Sequence, residues 1–138
     1  MWPIKIKKKL KEDIIQSLYQ YDFYQEELKK YNSNVPENIP LFQYIIDNIS
    51  IIDRIIEKNL YNYQINRLNK VDKAIIRLAT LELLEKKVSY RIIINEAIEL
   101  TRKFTCLEEN KQCKFNNKLL QLIYEDIRDN NYIKKTSF

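Results

Sequence analysis

The chain has 138 residues and not one glycine. Glycine is the residue that enters left-handed turns without steric cost, and tight two-residue hairpins depend on it. A sheet assembled from such hairpins is therefore hard to build from this sequence. Helices joined by polar loops need no glycine in their interiors. The apolar spacing points the same way: isoleucine is abundant and β-branched, but it recurs at three- and four-residue intervals and does not alternate.

Five helical segments follow from that spacing. The first runs from about Ile4 to Tyr31, with Leu10, Ile14, Leu18 and Tyr21 on one stripe. Residues 32–40 are rich in turn formers, hold two of the three prolines and read as a loop. The second segment spans Leu41 to Leu60, striped by Ile45, Ile49, Ile52 and Ile56, and its pattern allows a break near Ser50. Residues 61–69 are a connector with room for one helical turn. The third helix starts after Asn69, an N-cap residue type, and runs to Lys86. It has so little polar surface that it must be buried on most sides. Glu82 lies inside its apolar arc and needs a hydrogen-bonding partner there. The fourth helix follows Ser89, with Ile93, Ala97, Leu100 and Phe104 inward. Cys106 to about Lys111 is a polar loop. The last helix runs to about Asn130 with Phe115, Leu119, Leu122 and Ile123 inward, and the tail 131–138 is expected to fray. The class is all-α: a compact helical bundle forming one domain over residues 1–138, with room for two small bundles meeting near residue 66.

Composition narrows the chemistry. Without glycine there is no phosphate-binding loop, dinucleotide fingerprint or nucleophile elbow. Without histidine the commonest general base and zinc ligand are missing. Cys106 and Cys113 cannot hold a metal by themselves and read as reduced thiols. No enzyme activity, metal or cofactor is expected. Apolar runs are too short to span a bilayer, the basic start is not followed by an apolar segment, and a cytoplasmic location is the expectation.

Charge is concentrated at one end. Residues 1–11 hold Lys5, Lys7, Lys8, Lys9 and Lys11 and no acid, and the rest of the chain has equal numbers of basic and acidic residues, so the whole net charge of +5 sits there. Such a block suits a polyanion. On the first helix, Lys8, Lys11, Glu12, Ile15 and Tyr19 fall roughly opposite Leu10, Ile14 and Tyr21. A mixed basic and aromatic face of this kind fits RNA phosphates, unpaired bases and a protein partner. It is equally open to packing against other helices. A second block, Lys114, Phe115, Asn116, Asn117 and Lys118, opens the last helix, where free amide groups favour anions.

Three stretches together resemble the NusB family. Lys7-Lys8-Lys9-Leu10-Lys11-Glu12 with Gln16 and Leu18-Tyr19 is similar to the family's arginine-rich start and its Gln-x-Leu-Tyr sequence. Tyr63 to Leu68, Val71-Asp72 to Ala79, and Glu82-Leu83-Leu84 resemble Trp-x-Leu-x-Arg-Leu, Val-Asp-Arg-Ala-x-Leu-Arg-x-Ala and Glu-Leu-Leu. Tyr90-Arg91, Ile94 to Leu100, Lys103-Phe104 and Lys114-Phe115-x-Asn117 resemble Pro-Tyr-Lys, Ile-Asn-Glu-Ala-x-Glu-Leu-Ala-Lys…Phe and Lys-Phe-Val-Asn-Gly. The resemblance covers about residues 5–125. It departs from the family pattern in using lysine for the early arginines, Tyr63 for tryptophan, Ser89 for proline, Asn116 for an apolar residue and Lys118 for a small one.

The resemblance implies two three-helix sub-bundles, about 1–66 and 67–130. It also implies binding of single-stranded boxA-type RNA from ribosomal RNA leaders, jointly with the small-subunit ribosomal protein NusE, within the RNA polymerase antitermination complex. Lys5, Lys7, Lys8, Lys9, Lys11, Gln16, Lys114, Phe115, Asn117 and Lys118 are the RNA-binding candidates, and Tyr19 and Asp72 the partner-binding ones. The competing expectation is a related module that binds protein and not RNA. The sequence leaves both a monomer and a homodimer open.

Overall fold

The computed structural model of the protein describes residues 8–27, 40–61, 64–105 and 110–133, with side chains throughout except at 24–27. Among them run six α-helices: α1 (Lys8–Glu27), α2 (Pro40–Asp47), α3 (Ile49–Asn59), α4 (Lys70–Glu85), α5 (Tyr90–Phe104) and α6 (Lys111–Asp129), with a 3-10 turn at Ile65–Arg67. No strand occurs among the described residues, and none of these helices is long and apolar enough to cross a membrane.

Local chemistry sets the helix ends. The Asn69 side chain accepts the Val71 N–H at 2.8 Å and starts α4, and the Ser89 hydroxyl accepts the Arg91 N–H at 3.3 Å and starts α5. The break expected near Ser50 falls two residues earlier. Asn48 is fully buried, donates from its side chain to the Tyr44 carbonyl at 2.9 Å, and separates α2 from α3 without interrupting their shared isoleucine stripe.

The central helix is α4, buried at every residue from Asp72 to Leu84. The second half of the chain is a mutual set, with α4, α5 and α6 packed pairwise. In the first half, α1 lies along α4, α3 packs on α4 and α6, and α2 touches α1 and α3. One continuous hydrophobic core draws residues from all six helices.

Ion pairs fix the direction of α1 against α4. Near the start of α4, the buried Lys73 ammonium lies 2.9 and 3.0 Å from the two oxygens of Asp22, with Lys70 at 3.3 Å and Arg77 at 3.4 Å. Arg77 also grips Asp53 of α3 through two 2.8 Å hydrogen bonds. Burial works to raise the Asp22 pKa, but Lys73, Arg77 and Lys70 outweigh it and hold the carboxyl below its ordinary value. Near the end of α4, Lys11 meets Glu82 at 3.2 Å. The two helices therefore run antiparallel.

Two inward assignments do not hold. Phe104, at the last turn of α5, is 43% exposed, and Phe115 on α6 is 39% exposed. Cys113, Asn116, Leu119, Leu120, Ile123 and Ile127 make the buried face of α6, so its arc is rotated away from Phe115.

Candidate RNA and partner interface

The first helix carries most of the candidates. Its buried side is Lys11, Ile14, Ile15, Ser17, Leu18 and Asp22, with Leu10 and Tyr21 partly covered. The helical spacing puts Ile15 on the outer face; in the fold the buried arc is wider and turned further, because α1 beds into α4 along its length. Lys8, Lys9 and Gln16 are exposed, and Tyr19 is 41% exposed with Phe23 beside it at 40%. Lys5 and Lys7 lie outside the described residues.

Lys11 is a correction. It is 2% exposed, and its ammonium sits 3.2 Å from Glu82 and 3.4 Å from Glu96. It is the partner that the buried Glu82 requires, so it does not belong to the outward phosphate-facing set. Burial pushes the Glu82 carboxyl up to about 7; Lys11 opposes the rise and Glu96 adds to it.

Asp72 is a second correction. It is 2% exposed and accepts hydrogen bonds from the Thr105 hydroxyl at 2.7 Å and the Asn116 amide at 3.1 Å. Burial raises its pKa against the pull of those two donors. A carboxylate turned inward onto α5 and α6 does not present itself to a partner. Asn116, fully buried, also donates to the Thr101 hydroxyl at 3.1 Å and accepts from Gln112 at 2.9 Å.

A cleft of about 430 Å³ opens beside α1, walled by Ile15, Tyr19, Val71 and Phe104, with Gln16 and Lys103 at its rim. Glu12 and Asp13 add negative charge to that rim, and Glu12 holds Lys103 in an ion pair. Phe104 is not among the sequence candidates. Its spacing, four residues after Leu100, continues the core stripe, so the sequence carries no signal for its exposure.

The last-helix block lies elsewhere. Lys114, Asn117 and Lys118 are exposed. Phe115 borders two hollows of about 240 Å³ each, one shared with Tyr61, Lys118 and Leu122, the other with Arg67, Asn69 and Gln112. The first hollow lies between the end of α3 and α6, the second between the connector before α4 and the start of α6. The α1 cleft and the Phe115 hollows share no lining residue, although Val71 of the first and Asn69 of the second are only two residues apart.

The model of the NusB family matches residues 7–125. A transcription antitermination protein NusB from Sulfurovum sp. is 32% identical over 121 residues, covering 80% of this chain and 91% of the relative. One from Nitratiruptor sp. is 29% identical over 130 residues, covering 86% and 91%. Among solved structures, NusB of T. maritima superposes with a TM-score of 0.70 at 30% identity, covering 88% of this chain and 92% of that one. A structure described as a plectonemic RNA supercoil contains a chain that matches with a TM-score of 0.69 at 26% identity, covering 88% and 95%. With the sequence match running across nearly all the helices and the solved folds agreeing, the chain belongs to the NusB family.

Proposed function

We propose that this protein is a cytoplasmic transcription antitermination factor, without enzymatic activity, that binds boxA-type single-stranded RNA together with the ribosomal protein NusE as part of an RNA polymerase antitermination complex. Its relatives are named as antitermination proteins, and the charge distribution supports a division of labour between surfaces. The observation that carries this division is the sign of the α1 cleft. Its aromatic walls, Tyr19 and Phe104, are rimmed by Glu12, Asp13 and Lys103; Glu12 is paired with Lys103, and Asp13 leaves the rim with one net negative charge, a sign that disfavours phosphate and suits a basic protein such as a ribosomal one. RNA is assigned to the lysine-bearing surfaces: Lys8 and Lys9, exposed at the start of α1, with Lys5 and Lys7 preceding them in the sequence, and Lys114 and Lys118, exposed on either side of Phe115. Lysines neutralise phosphates without reading sequence, while Phe115 and Asn117 have the chemistry to stack on and hydrogen-bond to bases. Gln16, exposed on the cleft's edge, stands between the two roles.

The test is fluorescence anisotropy with a boxA-type RNA, with and without the ribosomal partner. The expected result is RNA binding that tightens when the partner is added. A protein that captures the partner but leaves RNA affinity at zero in both conditions is a protein-interaction module, and the RNA half of the proposal falls. The acidic rim of the cleft is the observation that favours that second reading.

A further inference from the structure

The antiparallel pairing of α1 with α4 places the exposed Lys8 and Lys9, a turn before Lys11, beside the end of α4. The start of α5 and the end of α6 meet at the same end. There the Tyr90 and Tyr124 rings stack, with centroids 3.8 Å apart and planes 10° from parallel. The Arg91 guanidinium lies 5.6 Å from the Tyr90 centroid and the Arg128 guanidinium 5.8 Å from that of Tyr124. Beside the rings is a cleft of about 320 Å³, floored by Leu83, Val88 and Ile127 and rimmed by Lys86 and Arg128.

The backbone at this corner is held in an uncommon state. Lys86 adopts φ 59° and ψ 27°, the left-handed position at a helix end that glycine or asparagine usually takes, with its N–H donating to the Glu82 carbonyl. Tyr61 and Asn110 have a similar positive φ at other helix ends, so the conformation is a helix terminator here. It fixes where the Lys86 side chain leaves the chain, at the lip of the cleft.

The charge balance is one-sided. Lys8, Lys9, Lys86, Lys87, Arg91 and Arg128 are exposed. On the same segments the exposed carboxylates are Asp13, one turn after Lys9, Glu125, which acts on Arg128, and Asp129, which accepts from Arg128 at 2.9 Å, so six exposed cations stand against three exposed acids. Asp126 is taken by Lys58 and Asn59, and Glu85 accepts from the Tyr44 hydroxyl. An exposed pair such as Arg128–Asp129 is worth little and yields to a phosphate.

We propose that the Tyr90–Tyr124 corner, with Lys86, Arg91 and Arg128, is a second RNA-binding surface that takes the strand flanking the segment held by the α1 lysines. This rests on the RNA-binding function proposed above. The cations take phosphates, and the tyrosine edges with the apolar floor take a base. The choice of RNA over an acidic protein rests on continuity with the α1 lysines, Lys8 and Lys9, at the same end of the bundle.

The experiment compares a short boxA-type RNA with the same RNA lengthened by about ten uridines at each end, across a salt series. For wild type, three additional phosphates held by the corner steepen the slope of log affinity against log salt by about 2 for the long RNA, at ~0.7 per phosphate. The K86Q/R91Q/R128Q variant gives the short-RNA slope with both. Y124L loses part of the affinity gain but keeps the slope. Circular dichroism confirms that each variant is folded. If wild type binds the short RNA and gains nothing from the extension, or if the triple variant keeps the full gain, this surface is not an RNA site while the main function stands. If polyglutamate of equal charge competes as well as oligouridylate, the surface is an acidic-protein seat and the RNA assignment is overturned. Failure to bind even the short RNA with the partner present refutes both.

Discussion

Glu82 is expected to make this protein less stable as pH rises through neutrality. Burial lifts its carboxyl from 4.5 to about 7. A folded-state pKa above the unfolded one means that the folded protein holds the proton more tightly. Stability is therefore greatest near or below the unfolded value and declines as pH climbs through the folded one, the reverse of an ordinary salt-bridged aspartate. At 1.36 kcal/mol per unit, the decline is at most about 3 kcal/mol, a large share of a typical domain's stability. The chain has no histidine, so no side chain with an ordinary pKa obscures the window from pH 5 to 8. The raised Asp72 adds the same sign at the acid edge, and the lowered Asp22 acts oppositely only below its ordinary value of 3.8. The assay is urea unfolding at pH 5, 6, 7 and 8. Wild type should lose stability across the series, Glu82→Gln should be nearly flat, and Lys11→Met should fall more steeply. At pH 8 Lys11→Met should lie below wild type and still be losing stability, because without its cation the buried Glu82 carboxyl keeps its proton to higher pH. A flat wild-type profile, or a slope that survives in Glu82→Gln, refutes the assignment of this titration to Glu82.

Neutralising Lys7, Lys8 and Lys9 to glutamine is expected to flatten the salt dependence of RNA binding by ~0.7 for each phosphate no longer neutralised, while leaving the urea midpoint in place; a fallen midpoint would mean that these lysines are structural. Tyr19→Asp is expected to weaken partner capture in a pull-down while the far-ultraviolet spectrum is unchanged, since the ring is 41% exposed; loss of the fold instead would make Tyr19 part of the core. Asn116→Val is expected to cost about 1–3 kcal/mol by stripping a donor from buried Asp72. Adding Thr101→Ala should cost less in that background than alone, which a double-mutant cycle measures.

Features read from neighbouring residues survive in the structure, and those that depend on distant ones do not. Asn69 and Ser89 cap the helices they precede, because a cap is a contact between residues two apart. The demand of Glu82 for a partner is visible in its own apolar arc. The identity of that partner is not, since Lys11 lies on another helix and counts, in a charge inventory, like any solvated lysine. Asp72 is a partner candidate only through the family resemblance, and nothing near it in sequence shows its burial, since its donors Thr105 and Asn116 come from other segments. Phe104 and Phe115 read as inward because a periodic stripe does not announce where its helix leaves the core.

The departures from the family pattern gain a physical meaning only from the packing. Asn116 stands where the family has an apolar residue, and Thr101 stands at the alanine of Ile-Asn-Glu-Ala-x-Glu-Leu-Ala. Read singly along the chain, Asn116 weakens the last-helix motif. In the fold both side chains turn inward and bond to each other at 3.1 Å, and Asn116 also serves Asp72. A buried amide without partners would cost about 1–3 kcal/mol; Asn116 is satisfied by Asp72, Thr101 and Gln112 together, and the Thr101 hydroxyl also donates to the Ala97 carbonyl at 2.9 Å. The change at 116 therefore alters the core and not the outer face, where Lys114, Phe115 and Asn117 keep the family's residues. Lys118, exposed in place of a small residue, adds a cation beside Phe115. What the departures do to this surface is increase its positive charge, the direction that favours a phosphate backbone.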